Sequence, residues 1–94
     1  MGEVGRFSFK KDVSAELIEN RLMLAILAAE GIHGEEKVSV KDIGYIEAGN
    51  RAVVDVSCEV GEHVAQIFMR FMTKEVGRKR FIYERVPKEE RRPA

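Results

Sequence analysis

Apolar and polar residues alternate over positions 6–10, with Phe7 and Phe9 on one face and Arg6, Ser8 and Lys10 on the other. A period of two predicts a half-buried strand. The period then lengthens. Asp12 or Ser14 is placed to cap a helix running to about Glu30, and Glu16 suits its positive end. At 100° per residue Ile18, Leu22, Ala25 and Ala29 fall on one stripe, the predicted core face. Gly31 and Gly34 stop the helix. Positions 37–45 and 51–60 read as a β-hairpin turning through Ala48, Gly49 and Asn50. In its second strand Ala52, Val54, Val56, Cys58 and Val60 share the inward parity, while Val53, Asp55, Ser57 and Glu59 face out. In its first strand Val38 and Val40 share a face and Ile43 and Tyr45 take the other, so a β-bulge or break is expected near Asp42. Positions 63–76 predict a second helix with Val64, Ile67, Phe68, Phe71 and Met72 in one apolar arc and Gly77 as C-cap. Positions 79–86, rich in β-branched and aromatic residues, predict a last strand that Pro87 ends.

The order strand, helix, strand, strand, helix, strand is the plan of a ferredoxin-like βαββαβ plait. This is an α+β fold with two helices on one face of a four-stranded antiparallel sheet. That plan puts the first and third strands at the centre. Ninety-four residues suffice for a single domain, 1–94, with an ordered core over about 6–86 and a charged C-terminal tail at 87–94. Such a fold carries many unrelated functions, so function has to be argued from sites.

Composition narrows the choice. The longest apolar run, positions 22–29, is far short of the roughly 20 residues that span a bilayer, and no signal peptide is recognised, so no membrane association is expected. The one cysteine, Cys58, excludes an internal disulfide and fits a reducing cytoplasm. Its inward parity predicts a buried, unreactive thiol. Asn20, Asn50 and Gln66 are the only side-chain amides, and with abundant Lys, Arg and Glu this leans toward thermophile composition. Net charge is zero, but residues 1–62 carry 7 basic and 12 acidic side chains and residues 63–94 carry 9 basic and 4 acidic. Such asymmetry can mark an interaction surface.

Catalytic chemistry finds little support. A nucleophile needs a base within reach and a third group to orient it. The two histidines, His33 beside the glycines and His63 at the start of the second helix, belong to no motif. No catalytic residue is assigned, and the protein is expected not to be an enzyme. Cys58, Glu62 and His63 are close in sequence but lack paired metal-ligand spacings, and no Gly-rich phosphate loop occurs, so neither a metal nor a cofactor is expected. RNA-recognition motifs share the plait and stack bases on outward aromatics of the two central strands. Here those positions hold Ser8, Val53, Asp55, Ser57 and Glu59, which disfavours that mode. A basic surface of Arg70, Lys74, Arg78, Lys79 and Arg80, with Arg85, Arg91 and Arg92 beyond, could contact phosphates without reading bases.

The most telling feature is on the first helix. Met23 and Leu27 fall at the angle of Glu16, Asn20 and Glu30, on what should be the solvent face. From Leu22 onward the helix is apolar all round, and a sheet covers only one side. Met23 and Leu27 are therefore candidate self-association residues, with a homodimer as the expected form. The expected function is that of a small cytoplasmic self-associating module with a regulatory, ligand-sensing or assembly role. The alternative is a nucleic-acid-binding protein using the basic C-terminal surface.

Overall fold

The computed structural model describes residues 2–34, 43–47 and 50–87. Its elements are β1 (Glu3–Phe9), α1 (Ala15–His33), β2 (Gly44–Glu47), β3 (Arg51–Asp55), α2 (Glu59–Val76), a 3-10 turn (Arg78–Arg80) and β4 (Phe81–Pro87). The sheet order is β2-β3-β1-β4 and every pairing is antiparallel. Both helices cover one face, so the fold is the ferredoxin-like plait, with β1 and β3 central as that fold type implies. Most of the predicted second strand, the bulge near Asp42, Ala48 and Gly49 of the turn and the tail after Pro87 lie outside the described residues.

Side-chain parity explains the layering. Phe7 and Phe9 of β1 and Ala52 and Val54 of β3 point into one core with Ile18, Leu22, Ala25, Ile26 and Ala29 of α1 and Val64, Phe68 and Met72 of α2. Phe7 is its centre. Its ring meets Phe68 edge-on at 4.9 Å, Tyr83 at 4.6 Å and Phe81 at 6.0 Å, arrangements aromatic quadrupoles favour. The ring of Tyr83 crosses over Gly5, where an added Cβ would be 2.6 Å from the Tyr83 Cε1. Val4, Val53 and Val86 form a small buried cluster on the opposite sheet face.

Local signals set the element ends. Ser14 is the N-cap of α1, its Oγ accepting from the Leu17 N–H at 3.3 Å. Helix α1 passes through Gly31 and stops at Gly34, three residues beyond the predicted end, and α2 stops at Gly77; both capping glycines have positive φ. Asn50, at φ 58°, turns the hairpin, and its Nδ2 donates to the Val13 carbonyl at 2.6 Å, tying that turn to the start of α1. In β2 Ile46 packs against the core and Tyr45 faces the other side.

One sequence expectation is overturned here. Strand β3 does not run to Val60; it ends at Asp55. The Asp55 carboxylate accepts from the Ser57 N–H at 2.9 Å and from the Ser57 Oγ at 2.5 Å, folding the chain out of the sheet. Helix α2 then starts four residues earlier than predicted, with Cys58 as N-cap. Cys58 is exposed, not buried, and its Sγ accepts from the Gly61 N–H at 3.5 Å. Val60 remains buried, but from a helix. Strand parity fails for Cys58 because the strand has already ended, and Ser57 and Glu59 likewise stand on no strand.

Gly61 makes this junction possible. A Cβ at Gly61 would lie 1.6 Å from the Asp55 carbonyl oxygen, so α2 sits directly on the end of β3. The obstacle is backbone and cannot rotate away. Gly61→Ala is expected to destabilise the fold by at least about 3 kcal/mol, measured as a lower urea midpoint, because overlap with main chain forces the helix off the sheet. Gly31→Ala, with nothing within 4 Å of the new Cβ, should not destabilise.

Candidate self-association surface

Helix α1 buries one stripe and leaves apolar residues on the other side. Met23, Leu24, Leu27 and Ile32 are 43%, 42%, 51% and 66% exposed. Ala28 and Gly31, also exposed, lie between them. The two residues the sequence pointed to, Met23 and Leu27, are thus part of a wider patch over the last three turns of α1. On a helical wheel Leu24 falls on the outward side, about 60° from Leu27, whereas Ile32 falls in line with the core stripe and is exposed all the same. Leu24 turns away from the sheet, and Ile32 lies in the final turn.

The patch extends toward a sheet edge. A shallow groove of about 250 Å³ runs between α1 and the edge strand β2, lined by Glu19, Leu22, Met23, Ile26, Tyr45 and Ile46. It falls below the roughly 300–1,000 Å³ of ordinary small-molecule sites. Met23 therefore continues the exposed helix face toward Tyr45, itself 45% exposed.

Arg70, Lys74, Arg78, Lys79 and Arg80 follow the second half of α2 into the 3-10 turn, whereas Arg85 stands toward the far end of β4, and several of these side chains are engaged within the fold. Arg78 Nη1 donates to the Phe81 carbonyl at 3.0 Å, and its guanidinium lies 4.7 Å over the Phe81 ring, a cation–π contact. Arg80 pairs with Asp12 across the sheet end. Arg70, Lys74 and Lys79 are exposed and have no ion-pair partner among the described residues. Arg85 bridges Glu62 at 2.5 Å and Glu3 at 3.5 Å, joining β4 to α2 and β1. Arg91 and Arg92 lie outside the described residues.

The histidines are not isolated surface groups. His33 closes α1, His63 stands in the first turns of α2, both are half-buried, and His33 Nε2 lies 2.7 Å from His63 Nδ1. Thirty positions separate them in the chain, and no local spacing announces the pair. Among the described residues no group of three or more His, Cys, Asp or Glu gathers as a metal cage. Nor, among them, is any helix long and apolar enough to cross a membrane. On the sheet face away from the helices, Val4, Arg6, Ser8, Val53 and Ile82 stand on the three strands nearest the centre and edge, with the Arg6–Glu84 pair at 3.0 Å across them. Neither central strand offers an aromatic platform there. Comparison with known proteins identifies no relative: no family model, curated protein or solved structure matches the chain.

Two outcomes follow from these positions. Cys58 should react with an aromatic disulfide reagent in the native state at a rate near that of the unfolded chain, and Cys58→Ser, which retains a capping side chain, should leave the denaturation midpoint unchanged. Protection of the native thiol would contradict the exposed cap.

Tyr83 supplies the second. Burial raises its pKa above 10.0, the neighbouring Arg85 opposing and the Glu62 carboxylate assisting. The folded state therefore holds the phenol proton more tightly than the unfolded chain. The stability this contributes is present below the unfolded value of 10.0 and is lost as pH rises through the higher folded value. Absorbance titration should show a phenolate forming above 10.0 that Tyr83→Phe removes, and alkaline denaturation of that variant should be less steep.

Proposed function

We propose that this protein is a small, non-enzymatic module that pairs with a second copy of itself through the outward face of α1, as a cytoplasmic homodimer serving assembly or regulation. The observation that carries this reading is the exposure of Met23, Leu24, Leu27 and Ile32 on one helix of a small chain. Removing such side chains from water is favourable by about 25 cal/mol per Å² of apolar surface. A second α1 related by a twofold axis is the fitting occupant, because an isologous contact needs only one self-complementary patch. Ala28 and Gly31 within the patch let two backbones approach to the roughly 8–10 Å of close-packed helices. The groove beside Met23 favours assembly over ligand sensing, being too small and open to enclose a ligand.

The alternative, nucleic-acid binding by Arg70, Lys74, Arg78, Lys79 and Arg80, has weaker support. Arg78 and Arg80 are held in internal contacts, leaving Arg70, Lys74 and Lys79 as the members of this set with no ion-pair partner among the described residues. Binding through these would be sequence-independent and would weaken steeply with salt.

Analytical ultracentrifugation at low and high salt separates the readings. A dimer is expected, unchanged or strengthened by high salt because the contact is apolar. Leu27→Glu should give a folded monomer with an unaltered far-ultraviolet spectrum. A wild-type protein that remains monomeric at high concentration would rule the dimer out. RNA binding lost in a Lys74→Glu, Lys79→Glu variant would favour the alternative.

A further inference from the structure

We propose that His33 and His63 form a two-imidazole chelate for a first-row divalent transition-metal ion, clamping the end of α1 to the start of α2. The two contact nitrogens, Nε2 of His33 and Nδ1 of His63, lie 2.7 Å apart. At that distance one ring nitrogen carries a hydrogen and the other presents its lone pair to it. The two nitrogens face each other with the ring centroids 4.8 Å apart, so once that hydrogen moves to the outer nitrogen of its own ring, a rotation of both rings is needed to bring the two lone pairs onto one point. An ion there takes the place of the shared proton, with no net proton released while both rings are neutral.

The spacing selects the ion. Metal–nitrogen bonds of about 2.0–2.1 Å set the nitrogens about 3.4 Å apart at a tetrahedral angle but only about 2.9 Å apart at a right angle. Starting from 2.7 Å, a right-angled chelate needs a far smaller movement of the rings. Ions of square-planar or octahedral preference, Cu2+ and Ni2+, therefore fit better than tetrahedral Zn2+, with water filling the remaining positions.

The surroundings are compatible with a cation. The last carbonyls of α1 carry the negative end of its dipole next to His33. The positive end of α2 opposes this at His63, but Glu59 and Glu62 stand in that first turn. Glu62 is bound to Arg85, and Glu30 lies one turn before His33. The rings are borne by two long helices whose ends Gly34 and Cys58 cap, so the backbone that carries them is held in place before any ion arrives.

The test is titration of tag-free protein with NiCl2 at neutral pH, followed by calorimetry and by imidazole 15N resonances. The chain has only two histidines, so both signals can be assigned. One Ni2+ per chain should bind, perturbing both rings together, with affinity higher than for Zn2+. His63→Gln and His33→Gln should each weaken binding more than about tenfold, and Cys58→Ser should leave it unchanged. No saturable binding up to about 1 mM Ni2+, perturbation of only one ring, or tighter binding of Zn2+ would overturn the proposal. The wild-type resonances decide even if a histidine variant fails to fold.

Discussion

The seat of α2 on the end of β3 is the constraint from which much of this fold follows. The main chain at Gly61 lies so close to the Asp55 carbonyl that no side chain fits between them. That contact requires β3 to end at Asp55, the chain to turn at once, and the helix to start at Glu59. It also decides which residues are spent on the junction. Asp55 and Ser57 satisfy each other, and Cys58 becomes a cap. With the helix start anchored there, Val64, Phe68 and Met72 are aligned over β1 and β3.

The second organising element is the aromatic cluster around Phe7. A central strand in a plait is buried on its helix face along most of its length, so its large side chains must be matched by residues from both helices and from β4. Phe68, Phe81 and Tyr83 meet that need, and Gly5 leaves room for the Tyr83 ring. The core is then filled by one stripe of α1. Apolar residues in excess of that stripe have nowhere inside to go, which is why Met23, Leu24 and Leu27 face outward. The excess is a property of α1 specifically. On α2 the polar residues Gln66, Arg70, Thr73 and Lys74 occupy the corresponding outward face.

Charge serves to tie elements of the fold together. Long-range pairs such as Arg21–Glu75 and Arg80–Asp12 link elements far apart in sequence, and Arg78 is folded onto Phe81. A basic run in sequence is therefore a poor guide to a basic surface, because guanidinium groups find carboxylates, carbonyls and rings within their own fold. The histidine pair has the opposite history: two residues with no sequence motif acquire a joint chemistry when the helix ends meet.

Much of the architecture was legible in the chain because periodicity is local. Alternation at Phe7 and Phe9 marked β1, the stripe of Ile18, Leu22, Ala25 and Ala29 marked the core face of α1, and Gly77 marked the end of α2, while of the two glycines read as stopping α1 the helix passes through Gly31 and ends at Gly34. The excess of apolar residues at Met23 and Leu27 was legible for the same reason. The junction after Asp55 was not, since Val56, Cys58 and Val60 alternate as a strand would. Which of the two conformations wins is set by Asp55, by Gly61 and by the room α2 has over β3. The fate of Arg78 and Arg80 and the meeting of His33 with His63 were equally hidden. Periodicity reports which face of an element avoids water, whereas contacts between elements depend on where each one ends, and those ends are determined by packing.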